Sequence, residues 1–402
     1  MTTWLRFFLL AFATTAWSQS LSGLWNATVE TNGLSIPFRI ELTASGDSVE
    51  GAFFNGEQKV TSTSGSFQNG VLRLDYDYMA TRLIATLDAD GTLHGDYGRE
   101  GRLYPFAAKR FSPSPLTAED VPRIAGLWQV AVKSSKGESA WRLIIRQAGP
   151  EVSAAILRVD GDTGELTGSY YDGKFVLSHF SGARPNLLEI TPQEDGTLQV
   201  VQGGRTADKM TAVRAADARA QGLPEPADPS RHTSIRNPAE PFHFSFPDVA
   251  GNVVADTDAR FQNKVILLAI GGSWCPNCHD EAPFLMDLYR RYHDQGLEIV
   301  GLSFEEADQL KNPVRLRAFI RKYGIEYPVL LGGEPSQLAA KIPQAVNLNA
   351  WPTTIFIGRD GRVRSVHAGF AAPASGDFHT QLKRELTALI ERLIDESAVA
   401  SR

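Results

Sequence analysis

The stretch VILLAIGGSWCPNCH, residues 265–279, decides the fold of the second half of this chain. Its first six residues are all apolar, which is typical of a strand buried on both faces of a sheet. A pair of glycines ends this run, and Pro276 follows at the first position of a helix, where its missing N–H costs no hydrogen bond. The stretch therefore predicts a buried strand that leads directly into a helix.

The only two cysteines among the 402 residues, Cys275 and Cys278, lie at this junction. Two thiols separated by two residues can close a small ring, so a pair that cycles between dithiol and disulfide is the first hypothesis. Free N–H groups and the helix dipole favour a thiolate at Cys275, which is predicted to attack. Cys278 is predicted to be the more sheltered thiol and to resolve a mixed disulfide.

Three other kinds of site were considered for this motif. Cys-x-x-Cys-His is the attachment pattern of haem c, with His279 as the axial ligand. A zinc site would lack ligands, because two cysteines and one histidine leave the tetrahedral set incomplete. A peroxiredoxin would need a threonine three residues before its reactive cysteine, where this chain has Gly272.

The residues that follow the cysteines indicate an alternation of helices and strands. Helices are predicted from 276 through 292, over 314–323 and over 381–394, and strands over 298–303, 354–357 and 363–367. Together with the buried strand over 265–270, this order predicts an α/β domain with a mixed sheet covered by helices.

Three motifs resemble the thioredoxin superfamily, and within it the exported TlpA/ResA-type thiol-disulfide oxidoreductases. They are Trp274-Cys275-Pro276-Asn277-Cys278, Glu281-Ala282-Pro283 and Trp351-Pro352-Thr353-Thr354, and the resemblance covers roughly residues 240–396. It implies a thioredoxin-like fold and a redox-active disulfide formed by Cys275 and Cys278.

The same resemblance implies roles for further residues. Glu281 is expected to be catalytic by handling a proton beside the thiols, since a partly buried acid would modulate their pKa values. Pro352 is expected to be a cis-proline facing the cysteine pair, and Trp274, Trp351 and Pro352 are expected to bind substrate. Ala269 stands where ordinary thioredoxins have a buried aspartate, which favours the TlpA-like branch.

Two residues depart from the family's pattern. Asn277 replaces the usual proline before the second cysteine, so the redox potential of relatives does not carry over. His279 replaces a basic residue, and two hypotheses stand side by side for it: a protonated imidazole that stabilises a thiolate, or an exposed helix residue.

The first half of the chain contains an internal duplication. Gly23-Leu24-Trp25 recurs as Gly126-Leu127-Trp128, and two further anchors recur in the same order. Alternating apolar and polar residues, as over 34–42, predict strands with one apolar face. We expect two tandem antiparallel β barrel or sandwich repeats that act as a spacer or dimerisation unit. A binding protein built on these repeats, with a subsidiary redox domain, is a further alternative.

These observations predict a multidomain chain. Residues 1–18 are expected to be a signal peptide cleaved between Ser18 and Gln19, with a retained membrane anchor as the alternative. Beyond it we predict β repeat 1 over 19–112, β repeat 2 over 121–214, a proline-rich linker over 215–240 and a thioredoxin-like domain over 241–397. The expected location is the periplasm or the exterior.

Partners and cofactors follow from the resemblance more than from composition. The 40 basic and 46 acidic residues give a net charge of -6, with no sign of nucleic-acid binding. No cofactor is expected beyond the cysteine pair. The resemblance implies disulfide-containing exported proteins as substrates, a membrane thiol-electron donor, and processes such as cytochrome c maturation.

Overall fold

A computed structural model of the protein describes residues 21–112, 121–203 and 209–400, with side chains up to residue 396. The predicted signal peptide lies outside the described residues. Among the helices that are described, none combines the length and the apolar character needed to cross a bilayer.

The first β repeat folds into a closed antiparallel barrel. Eight strands follow one another around it in the order β2-β1-β9-β8-β7-β6-β5-β3, and pairing of β2 with β3 closes the ring, while β4 extends β3 at the side. Closure leaves no open sheet edge within the ring. The strands are β1 (Gly23–Thr31), β2 (Leu34–Ser45), β3 (Ser48–Asn55), β4 (Gln58–Thr61), β5 (Ser64–Gln68), β6 (Val71–Tyr76), β7 (Thr81–Leu87), β8 (Leu93–Arg99) and β9 (Arg102–Arg110).

The second repeat has the same topology with every strand number raised by nine, which confirms the duplication. Pairing of β11 with β12 closes this ring, and β13 extends β12. Of the two architectures expected, both repeats are therefore barrels. The strands are β10 (Gly126–Ala131), β11 (Ala140–Ala148), β12 (Glu151–Arg158), β13 (Gly161–Asp162), β14 (Leu166–Tyr171), β15 (Lys174–His179), β16 (Asn186–Pro192), β17 (Leu198–Gln202) and β18 (Lys209–Arg214).

The repeated tryptophan makes the same contacts in each barrel. Trp25 and Trp128 are buried, and their indole N–H groups donate to backbone carbonyls four residues earlier at 3.0 and 2.8 Å. A guanidinium from the last strand lies over each ring, that of Arg110 at 4.5 Å and that of Arg214 at 4.0 Å from the ring centre. The repeated Gly-Leu-Trp motif thus places an equivalent buried tryptophan in the first strand of each barrel.

The rest of the chain forms an α/β unit. Its sheet has the order β24-β23-β22-β26-β27, with the first three strands parallel and the last two antiparallel to their neighbours, as a mixed sheet requires. The elements are α1 (Ala215–Ala220), α2 (Pro229–His232), β19 (Ser234–Ile235), β20 (Ser245–Pro247), β21 (Val253–Ala255), β22 (Val265–Gly271), α3 (Pro276–Tyr292), β23 (Leu297–Phe304), α4 (Ala307–Lys311), α5 (Val314–Tyr323), β24 (Val329–Gly333), α6 (Leu338–Lys341), β25 (Ala345–Val346), β26 (Thr353–Ile357), β27 (Val363–Ala368) and α7 (Asp377–Ala400).

The central strand β22 explains why the sequence has an uninterrupted apolar run. Its odd-numbered residues, such as Leu267, belong to the hydrophobic core beneath α3 and α7. Its even-numbered residues, such as Leu268, belong to a second core on the opposite face of the sheet. Because successive side chains of a strand point to opposite faces, a strand covered on both faces is apolar at every position.

The region predicted as a proline-rich linker, residues 215–240, is only partly extended. It contains the short helices α1 and α2 and the strand β19, which pairs with β25 of the α/β unit. The sequence of α1, AADARA, is rich in alanine, the residue with the highest helix propensity. Composition dominated by the later prolines hid this local preference.

The three folded units pack directly against one another. Phe180 of the second barrel is buried in the aromatic core of the first, with ring centres 4.7 Å from Phe38 and 5.3 Å from Phe53. Arg99 of the first barrel forms a bidentate ion pair with Glu306 of the α/β unit, at 2.6 and 2.7 Å. The first barrel therefore contacts both the second barrel and the α/β unit.

Candidate active site

The two cysteines lie at the start of α3. Cys275 is the N-cap residue of this helix, and its sulfur accepts a hydrogen bond from the backbone N–H of Cys278 at 3.4 Å. Pro276 occupies the first turn, as its missing N–H allows. Burial raises the pKa of Cys278 well above that of a free cysteine, and the hydrogen bond with Cys275 raises it further. At neutral pH Cys278 therefore holds its proton.

Glu281 lies one turn further along α3 and is only 5% exposed. Its carboxylate oxygen accepts a hydrogen bond from the hydroxyl of Thr354 at 3.0 Å. Burial raises the pKa of Glu281 to about 8, and the bond from Thr354 offsets only part of this effect. The acid expected from sequence to be partly buried is thus fully enclosed, and it can exchange a proton near neutral pH.

A small cavity joins the second cysteine to this acid. Cys278 and Glu281 both line it, together with residues of β22, β23 and the start of β24, and its volume is about 50 Å³. Since one water needs roughly 10–15 Å³, the cavity has room for water beside the Cys278 thiol and the Glu281 carboxyl group.

His279 occupies neither of the two environments considered from sequence. Its Nε2 lies 2.9 Å from the carbonyl of Ser273, and its Nδ1 lies 3.0 Å from the hydroxyl of Tyr323. A carbonyl only accepts, so Nε2 carries the proton and the Tyr323 hydroxyl donates to Nδ1. Burial lowers the pKa of His279 to about 4, so the ring is neutral. It is neither a cation beside the thiolate nor an exposed residue, and both ring nitrogens are already engaged, which disfavours axial ligation of a haem.

The three residues expected to bind substrate lie together beside the cysteines. The Trp351–Pro352 peptide is cis, as predicted, while its placement opposite the cysteine pair stays a prediction. The rings of Trp274 and Trp351 meet edge to face with centres 5.4 Å apart, and the indole N–H of Trp274 donates to the carbonyl of Phe304 at 2.8 Å. Both indoles are partly exposed and form an apolar wall next to Pro352. Their role in binding stays a prediction.

A buried ionic network, missed from sequence, fixes the turn before Cys275. Glu305 is fully buried and accepts hydrogen bonds from the backbone N–H and the hydroxyl of Ser273, each at 2.7 Å. Arg315 donates to Glu305 at 2.8 Å and to the Ser273 hydroxyl at 2.8 Å. A buried carboxylate needs such partners, and here they hold the residue two positions before the attacking thiol. Nothing in the sequence spacing links Ser273, Glu305 and Arg315.

The relative shelter of the two cysteines is opposite to the prediction. Cys275 is 0% exposed, whereas Cys278 is 7% exposed. The second barrel packs on the segment between the cysteines, where the Asn277 side chain donates to the carbonyl of Asp160 at 2.6 Å. An isolated helix start could not reveal this contact.

Comparisons with known proteins agree with the geometry of this region. The model of the AhpC/TSA family matches residues 236–366. The thiol-disulfide oxidoreductase ResA of Bacillus thuringiensis is 30% identical over 123 residues, which are 30% of this chain and 63% of the relative. ResA of Bacillus subtilis is 27% identical over 136 residues, or 34% of this chain and 69% of the relative. The chain thus spans a little less than two thirds of the first relative's length.

A solved structure with a similar region is described as a putative thiol:disulfide interchange protein DsbE from Chlorobium tepidum. It is 21% identical, covers 36% of this chain and 95% of its own, and has a TM-score of 0.28. The family match and the ResA relatives support a thioredoxin-superfamily domain of the ResA/TlpA type in the C-terminal region of this chain.

Proposed function

We propose that the protein is an exported thiol-disulfide oxidoreductase that reduces disulfides of other exported proteins through its Cys-Pro-Asn-Cys pair. One observation carries the proposal: Cys275, Cys278 and Glu281 follow one another along the first turns of a single helix, and the backbone N–H of Cys278 donates to the sulfur of Cys275. The ResA relatives support the reaction class. The apolar segment in residues 1–18 supports export.

The reaction begins at Cys275. Its thiolate attacks one sulfur of a substrate disulfide, the substrate S–S bond breaks, and a mixed disulfide forms as one substrate thiolate leaves. The backbone N–H of Cys278, which donates to the sulfur of the N-cap residue Cys275, and the dipole of α3 stabilise the attacking anion. The apolar wall of Trp274 and Trp351 would lie against the substrate chain beside Pro352.

The second half of the reaction needs a base for Cys278, since its raised pKa keeps the thiol protonated. Ionised Glu281 can accept this proton, through a water in the shared cavity. The Cys278 thiolate then attacks the sulfur of Cys275, forms the internal disulfide and releases the second substrate thiolate. The substrate gains two electrons and the protein loses two, which a thiol donor of the membrane would restore.

A trapping experiment tests this function. In Cys278→Ser the mixed disulfide on Cys275 cannot be resolved, so disulfide-bonded exported proteins should accumulate on the variant as adducts cleaved by reductant. The double variant Cys275→Ser/Cys278→Ser is the matched control. Absence of adducts on Cys278→Ser, or equal adducts on the control, would exclude exchange with protein disulfides at this site.

A further inference from the structure

The hairpin between β12 and β13 of the second barrel reaches the thiol site. Its tip, residues 159–162, is called the docking hairpin here. The Asn277 side chain, between the two cysteines, donates to the carbonyl of Asp160 at 2.6 Å. Gly161 forms a parallel β-bridge with Phe370, just beyond the end of β27. The docking hairpin therefore binds the α/β unit through backbone groups, as an added strand does.

Apolar contacts bring the same hairpin to the segment around Pro352. Val159 is 2% exposed and forms a small buried cluster with Ala350 and Ala368. Ala350 directly precedes Trp351 in the chain. Val159 belongs to this cluster and not to the core of its own barrel, so its side chain is buried by the α/β unit.

Two glycines permit this close approach. A Cβ on Gly369 would lie 2.3 Å from the carbonyl oxygen of Val159, and a Cβ on Gly161 would lie 2.3 Å from the carbonyl oxygen of Phe370. The N–H of Gly369 also donates to the carbonyl of Pro352 at 2.7 Å. The hairpin backbone thus packs directly against the segment that supports the cis-proline.

The docking hairpin is held firmly to its barrel. The N–H of Val159 donates to buried Glu138 at 2.7 Å, and Lys136 forms an ion pair with Asp160. The contacts to the α/β unit include a side-chain hydrogen bond, a β-bridge and an apolar side chain. Opening of the site requires these contacts to the α/β unit to break.

We propose that the docking hairpin is an internal ligand of the surface that Asn277, Ala350 and Ala368 form beside the thiols, where it takes the place of an extended segment of substrate polypeptide. This closes the site and accounts for the complete burial of Cys275. The inference rests on the proposed function and names its substrate class: an extended chain that offers a backbone carbonyl to Asn277 and a small apolar side chain to Ala350 and Ala368. Substrate binding requires the hairpin to leave.

Access to Cys275 measures this directly. The full-length protein is reduced, and alkylation of Cys275 by iodoacetamide is followed by mass spectrometry at constant pH. Val159→Glu places a carboxylate in the apolar contact, and Gly161→Ala places a Cβ against Phe370. Each should accelerate alkylation by about tenfold or more, because the rate follows the open population.

Gly173→Ala is the matched control. Gly173 lies in another hairpin of the same barrel, also with positive φ, but nothing lies within 4 Å of an added Cβ. Its alkylation rate should stay within about twofold of the wild type. Thermal unfolding identifies a variant that fails to fold, in which case the other variant decides. Wild-type alkylation as fast as in urea, or folded Val159→Glu and Gly161→Ala that react no faster than the control, would overturn the proposal.

The alkylation and trapping experiments can fail independently of each other. Faster alkylation in both hairpin variants, without adducts on Cys278→Ser, would keep the internal ligand and exclude the proposed exchange reaction. Adducts without any change in alkylation would keep the reaction and exclude the internal ligand.

Discussion

The two barrels present equivalent hairpins to different neighbours. The hairpin between β3 and β4 of the first barrel contacts the second barrel, where the Asn55 side chain accepts from the N–H of Glu165 at 2.9 Å. The hairpin between β12 and β13 contacts the α/β unit at Asn277. One duplicated structure thus makes a structural contact in the first copy and a contact with the thiol site in the second. Position relative to the cysteines, more than fold, distinguishes the two copies.

The largest expected effect separates the redox unit from both barrels. Cys275→Ser removes the attacking sulfur and should lower disulfide reduction to the background rate, while the melting temperature changes little, since the substitution is small. Activity assays on disulfide-bonded proteins and thermal unfolding check this. A variant that retained the protein's biological function would instead support a binding role of the barrels.

The same substitution in the core of each barrel distinguishes the roles of the two barrels. Trp25→Ala and Trp128→Ala remove equivalent buried side chains, and each should cost about 3–5 kcal/mol of stability. Only Trp128→Ala destabilises the barrel that carries the docking hairpin. Cys275 should therefore be alkylated faster in this variant only. Chemical denaturation and the alkylation assay measure both quantities. Equal acceleration in the two variants would contradict a special role of the second barrel.

The enclosed acid predicts a dependence of stability on pH. The folded protein raises the pKa of Glu281 from 4.5 to about 8, so the native state binds this proton more tightly than the unfolded state. Stability from this group is complete below pH 4.5 and is lost as pH rises towards 8, by at most about 1.4 kcal/mol per pH unit. Glu281→Gln should flatten the curve in this window.

Asp280 provides the internal reference for that measurement. Burial also raises its pKa to about 8, and the group is present in both proteins, so a residual slope should remain in Glu281→Gln. Identical slopes in wild type and variant, measured by urea unfolding between pH 5 and pH 8, would contradict the assignment of a raised pKa to Glu281.

The smallest effect is expected where the first barrel contacts the α/β unit. Arg99→Ala removes a partly exposed ion pair, and Glu306 keeps its bond from Arg315 at 2.9 Å, so the loss should be about 0.5–1 kcal/mol. Arg99 lowers the pKa of Glu306, so the difference from wild type should shrink as pH falls below 4.5. Alkylation of Cys275 should not change. Faster alkylation would give the first barrel a part in closing the site.

The sequence predicted those features that depend on local pattern. The apolar run of β22 and the proline after Cys275 located the strand-to-helix junction, and the repeated Gly-x-Trp located the barrels. The contact between Asp160 and Asn277 joins residues 117 positions apart, and no periodicity reports such a pair. The predicted order of shelter of the two cysteines was also wrong, since Cys275 is 0% and Cys278 is 7% exposed.

The environment of His279 was inaccessible to sequence analysis on similar grounds. Its ring lies 5.9 Å from Tyr78 of the first barrel and 4.8 Å from Phe319 of α5, measured between ring centres. These rings come from two separate folded units, and both contribute to the burial that lowers the pKa of His279 to about 4. Local helix position alone left two hypotheses, neither of which included an enclosed neutral ring.

An equilibrium redox titration of the intact protein tests whether Cys275 and Cys278 form one dithiol–disulfide couple. The protein is equilibrated in thiol–disulfide buffers of graded potential, quenched, and analysed by mass spectrometry of the peptide that contains both cysteines. We expect one two-electron transition between the dithiol and a Cys275–Cys278 disulfide. Cysteines that stay reduced at every potential, or that form separate adducts with the buffer thiol without an internal disulfide, would contradict it.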